Sequence, residues 1–162
     1  MRTNQPQTIY LSEYKVPAYL VDQVDLRFEL FEDGARVHST LTVRRNPDSA
    51  ESAAPLFLHG DSLQLESVSL NGSPLGTGEF EDRGDALVVP SVPEEFELQV
   101  VTWIEPQNNT RLEGLYKSSG MFCTQCEAEG FRCITFYPDR PDVMARFRTR
   151  IEADKGAYPV LL

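Results

Sequence analysis

The chain has 162 residues, 41% of them hydrophobic and 25% charged. That is the size and make-up of one globular domain, large enough to bury a core without a disulfide or metal. Twenty-five acidic residues against fifteen basic ones leave a net charge of -10, which repels phosphate backbones and anionic bilayers and excludes nucleic acid and membrane surfaces as partners.

No apolar run reaches the ~20 residues of a membrane helix. The opening MRTNQPQTIYLSEY lacks the apolar stretch of a signal peptide. Three cysteines are an odd number and fit a reducing compartment. The expectation is a cytoplasmic protein.

In chain order, Val24, Leu26, Phe28 and Leu30 alternate with Asp25, Arg27 and Glu29, the period of a strand with one buried face. Turn residues Glu32, Asp33 and Gly34 follow. Val37, Ser39, Leu41 and Val43 then alternate with His38, Thr40, Thr42 and Arg44, so the two runs form an antiparallel hairpin. PLFLHG is a short strand. LQLESVSLNGSPL carries Asn71-Gly72, a strong hairpin signal because both residues tolerate positive φ. ALVVP and FELQVVTWIEP add two strands bounded by prolines. The expected fold is all-β, an antiparallel sandwich or saddle with at most short helical turns.

From Gln107 to Gly130 no period is visible, which predicts a long loop of the kind that carries function. Asn108-Asn109-Thr110 matches a glycosylation sequon and reads as a polar turn. RCITFY is predicted as a strand. Asp142 is placed to cap a helical turn through Val143, Met144 and Ala145. FRTRIEAD predicts a further strand, and YPVLL the start of another. A chain stopping on apolar strand residues is either docked there or part of something larger.

The long loop holds the chemistry. Cys123, Cys126 and Cys133 form C-x2-C-x6-C, one ligand short of a structural zinc site, and a redox pair belongs at a helix start that is missing here. His38 sits on a polar strand face and His59 before a glycine turn, surface positions rather than metal or base positions. No H-E-x-x-H segment is present. Glu127 and Glu129 lie beside Gln125. A carboxylate next to an amide carbonyl is a receptor for an ammonium group, offering charge and fixed acceptors to its N–H donors; the plain alternative is a solvated acidic loop. Trp103 is either a packed aromatic or a stacking platform for sugar.

LEGLYKSSGMFCTQCEAEGFRCITFYPDRPDVMARF, 112–147, together with the opening YKVPAYLVDQVDLRFEL, resembles bacterial aminopeptidase N, a zinc-dependent aminopeptidase family of the gluzincin group. The resemblance implies an all-β N-terminal domain packed over a thermolysin-like catalytic domain. It also implies an alanyl-aminopeptidase type of activity that releases N-terminal residues from peptides. Zinc is implied for the full-length enzyme and none for this chain. The family's Gln-x-Glu motif, which grips the substrate's free α-amine, falls on Gln125-Cys126-Glu127. The zinc motif and the G-A-M-E-N segment are absent.

The expectation is therefore that residues 1–162 are an N-terminal β domain, ended before its last strands and separated from the catalytic domain of the same polypeptide. Its substrate-binding residues are Gln125 and Glu127, it has no catalytic or metal residues of its own, and its partner is a peptide N-terminus. The alternative is a free-standing β-sandwich module that binds a partner through the acidic loop.

Overall fold

The computed structural model describes residues 10–51 and 53–160. These residues form eleven strands: β1 (Tyr19–Leu30), β2 (Ala35–Arg45), β3 (Leu56–His59), β4 (Gln64–Leu70), β5 (Ser73–Pro74), β6 (Glu81–Asp82), β7 (Ala86–Val89), β8 (Glu95–Ile104), β9 (Gly114–Ser118), β10 (Met121–Gln125) and β11 (Arg146–Ala153). Only short 3-10 turns accompany them among the described residues, and the all-β expectation holds.

A six-stranded sheet runs in the order β11-β1-β2-β8-β4-β5, beside a three-stranded sheet β3-β7-β6 and the hairpin β9-β10. Period-two patterning gives the large sheet its inner face. Ala35, Val37, Leu41 and Val43 of β2 meet Phe96, Leu98, Val100 and Ile104 of β8 in one core. Leu56, Leu58, Leu87 and Val89 of the smaller sheet join it, so the two sheets share an interior as sandwich layers do. In β1 the inward residues change phase at a bulge between Val21 and Gln23, the extra residue that such a break in alternation requires. The expected hairpins β1-β2 and β4-β5 form. Asn71 and Gly72 take φ of 50° and 78°.

Four local expectations are corrected. The segment 107–130 is not one long loop: β9 and β10 pair as a hairpin through Ser119-Gly120, whose φ values of 50° and 85° match a two-residue hairpin turn. Five-residue strands are too short to display a period. RCITFY is no strand. It is a 3-10 turn at Phe131–Cys133 followed by an irregular run with one bridge, Tyr137 to His59. Because Cys133 to Pro138 are all buried, the run lacks the alternation that separates a strand from other buried backbone.

At 143–145 there is no helical turn. The Val143 N–H donates to Arg140 O in an isolated turn, and the Asp142 carboxylate accepts from Arg140 and Tyr14 instead of capping. Residues 158–160 form no strand, and Leu161 and Leu162 lie outside the described residues. β11 appears where expected but runs parallel to β1, with Val24 opposite Phe147 and Phe28 opposite Ile151, so the large sheet is mixed.

Candidate functional site

The hairpin β9-β10 has two faces. Phe122, Thr124 and Cys126 help line an apolar cavity of about 840 Å³ between the hairpin, β1 and β11. Cys123 and Gln125 alternate to the other side. The two thiols of C-x-x-C therefore point to opposite faces and neither chelate nor pair. No disulfide joins Cys123, Cys126 or Cys133, and burial pushes the Cys126 thiol up. Among the described residues no group of three or more His, Cys, Asp or Glu is positioned to hold a metal ion. The described residues do not fit a zinc site.

Gln125 ends β10, and the chain turns back over Glu127 to Gly130. The Gly130 N–H donates to Cys126 O at 2.8 Å and closes the turn; the Glu127–Ala128 peptide bond is cis. The turn is seated directly on β9. A Cβ on Gly130 would stand 2.5 Å from Gln125 O, and one on Gly114 would stand 2.7 Å from Cys133 Cβ and 3.1 Å from Gly130 O. Only glycine allows backbones this close, and at Gly114 the φ of 74° demands it as well.

The sequence-derived residues sit together on this turn. Gln125 Nε2 donates to Glu127 O at 3.4 Å, and the Gln125, Glu127 and Glu129 side chains are exposed. The two glutamates differ in their surroundings. Glu129 pairs with the Arg132 guanidinium at 3.4 Å, whereas no described residue holds the Glu127 carboxylate. Neither Gln125 nor Glu127 lines the three cavities found among the described residues at 61–133, at 26–160 and at 29–158. The turn presents an uncompensated carboxylate and an amide outward, an arrangement suited to a cation.

Behind the turn lies a polar cluster that sequence reasoning missed. Arg132, inside the 3-10 turn, donates from Nε to the Asp139 carboxylate at 3.0 Å and from Nη2 to Asp139 O at 2.8 Å. His59, expected at the surface, is partly buried here. Its Nδ1 accepts from the Asp139 N–H at 3.2 Å, and its backbone exchanges hydrogen bonds with Tyr137. The available signal was an Arg and an Asp seven residues apart within an otherwise buried run. His38 fits its expected place, in a sheet-face network with Arg27 and Glu29. Trp103 packs: Phe31 stacks on it with centroids 5.9 Å apart, Gly34 abuts its ring and Arg36 lies over it.

Burial, reinforced by the nearby Arg132 charge, pushes the His59 imidazole below its ordinary value. The unfolded chain then binds the proton more readily than the folded one. The contribution of neutral His59 is therefore complete above the unfolded value, ~6.5, and is lost as pH falls toward the depressed folded value. Thermal unfolding followed between about pH 7.5 and about pH 5.5 should show the midpoint falling with pH. The His59→Gln variant should show a shallower fall; an identical slope in both proteins would contradict the assignment.

The profile of the peptidase M1 N-terminal domain matches residues 13–161. Aminopeptidase N of Escherichia coli is 48% identical over 160 residues, and aminopeptidase N of Caulobacter vibrioides 44% identical over 162. These matches cover 99% and 100% of this chain but only 18% of each relative. Among solved structures, Legionella pneumophila aminopeptidase A in complex with aspartic acid superposes with a TM-score of 0.87 at 34% identity, over 94% of this chain and 18% of that one. An M1 zinc metallopeptidase from Deinococcus radiodurans, bound to a Tyr-Ser-Ala substrate, shares the fold with a TM-score of 0.68 at 18% identity, over 84% of this chain and 33% of its own. Among the described residues no helix is long and apolar enough to cross a membrane.

Proposed function

The chain belongs to the peptidase M1 N-terminal domain family, and from that premise we propose that it gates the active site of a zinc-dependent aminopeptidase, with Gln125 and Glu127 binding the α-ammonium group of the peptide substrate. The observation that carries this reading is the contrast within the turn: Glu129 is paired with Arg132, while no described residue pairs with the exposed Glu127 carboxylate. A free peptide N-terminus supplies the missing positive charge and the N–H donors. An internal peptide segment supplies neither and leaves Glu127 desolvated and unpaired, so the same contact selects exopeptidase over endopeptidase cleavage.

The zinc and the catalytic groups belong, in this reading, to a catalytic domain of the same polypeptide. The exposed surface supports such a neighbour. Among the described residues β11 is bonded only to β1, and its Phe147 and Ile151 are 52% and 43% exposed, an open edge with large apolar side chains of the kind another element covers. The reduced thiols fit a cytoplasmic setting.

The test compares matched peptides with free and N-acetylated termini. The polypeptide that joins this chain to its catalytic domain should cleave the free form at least about 100-fold more efficiently in kcat/KM, because the blocked form forfeits the charge pair. This chain alone should release no amino acid, with or without added zinc. Zinc-dependent release by the isolated chain, or equal cleavage of the two peptides, would overturn the proposal.

A further inference from the structure

We infer that Arg132 is the positioning residue of the amine-recognising turn: its guanidinium ties the end of the turn to Asp139 and holds Glu129 aside, so that Glu127 is the acidic group offered to the ligand. This rests on the functional reading above and adds to it the group that divides the labour between the two glutamates.

The geometry is that of a clamp on three acceptor groups. Arg132 Nε and Nη2 hold the carboxylate and the backbone carbonyl of Asp139, the backbone N–H of Arg132 donates to the same carboxylate at 3.2 Å, and Nη1 faces Glu129 at 3.4 Å. The Arg132 and Asp139 side chains are 16% and 12% exposed, so the pair is shielded and its geometry is fixed by several bonds at once. Asp139 is anchored in turn by its N–H to His59 Nδ1 and Tyr137 O, and Arg132 O accepts from the Asp61 N–H. The clamp is thus fastened to the end of β3, a part of the sandwich that the turn itself does not touch in sequence.

Gly130, whose N–H closes the turn on Cys126 O, stands two residues before Arg132. Any slack at Arg132 passes directly into the turn carrying Glu127. It would also release Glu129, a second carboxylate two residues from Glu127, to compete for the same cation and to repel its neighbour. Lysine cannot replace the clamp. An ammonium's donors all radiate from one nitrogen on a flexible stem and cannot span these separated acceptors, whereas the planar guanidinium reaches all three from its three nitrogens.

The experiment uses Arg132→Lys, which keeps the charge, with Asp139→Asn as a second variant should the first fail to fold. Two quantities are read: amide exchange at Gly130 against exchange in β2 and β8, and KM and kcat for free-amine substrates in the polypeptide carrying the catalytic domain. Arg132→Lys should speed Gly130 exchange by about tenfold or more while the central strands stay protected. It should raise KM about tenfold with kcat within about threefold, and Glu129→Gln alone should leave KM within about twofold.

A merely structural role would alter exchange throughout the sandwich and would not separate KM from kcat. If Glu127→Gln raises KM and folded Arg132→Lys does not, the clamp is wrong and the amine reading stands. If neither variant moves KM, both fall. If Glu129→Gln raises KM as much as Glu127→Gln, the division between the glutamates is overturned.

Discussion

Glu127→Gln, made in the polypeptide that carries the catalytic domain, should lower kcat/KM for free-amine peptides by roughly 30- to 1,000-fold, the range seen when one member of a desolvated charge pair is removed. Glutamine keeps the volume and one carbonyl acceptor, so the loss reports charge rather than shape. The magnitude depends on enclosure. In the chain itself the Glu127 side chain is exposed, and a solvated ion pair contributes little. The large effect arises only if a neighbouring domain excludes water around the bound amine, which strengthens the pair.

The internal control is Glu129→Gln. It removes the same charge two residues away, but from a carboxylate already compensated by Arg132, and should change kcat/KM by less than about threefold. Gln125→Ala should fall between them at about tenfold, the worth of one hydrogen bond to a charged group. Steady-state assays with amino-acyl arylamides supply all three numbers. Glu127→Gln within threefold of the parent would remove the amine-recognition reading.

What sequence could reveal of this site differs residue by residue. Strands β1, β2 and β8 were legible because each buries one face and exposes the other over ten or more residues, and a period of two is then plain. Asn71-Gly72 was legible because its backbone requirement is local. Ser119-Gly120 makes the same turn with the same signs of φ, yet its flanking strands are so short that only their pairing with each other defines them.

Gln125 and Glu127 stood out as residue types, but composition alone favoured a solvated loop, and the role proposed for them came from resemblance to a family. Arg132, Asp139 and His59 were out of reach for another reason. Their grouping depends on a contact between residues 59 and 139, eighty positions apart. The β1-β11 pairing hides in the same way: parallel strands are joined by long crossovers, and nothing near Phe147 indicates that its partner is Val24.

The seat of the turn permits a second large prediction, drawn from two glycines in one hairpin. Gly114 and Gly120 both hold positive φ, 74° and 85°, and in both an alanine carries the left-handed strain of about 1–2 kcal/mol. They differ in what the added methyl meets. At Gly120 nothing lies within 4 Å, whereas at Gly114 the new Cβ would stand 2.7 Å from Cys133 Cβ, with Gly130 O at 3.1 Å and Cys133 C at 3.2 Å. Two of those three atoms are backbone and have no rotamer to escape into, so the clash adds about 1–3 kcal/mol of overpacking to the strain.

Urea unfolding of this chain should therefore place Gly114→Ala about 1–3 kcal/mol below Gly120→Ala, with m unchanged. Equal stabilities would mean that the turn can retreat from β9 at no cost and is not seated there at all. The functional consequence follows from the direction of the retreat. The backbone that must give way belongs to Gly130 and Cys133, two residues before Arg132 and one after it, so a folded Gly114→Ala protein should also bind free-amine peptides poorly. Gly120→Ala, strained at the far tip of the same hairpin, should keep its KM within about twofold. The seat of the turn on β9 thus depends on a residue with no side chain, because a Cβ at Gly114 would meet Cys133 and Gly130.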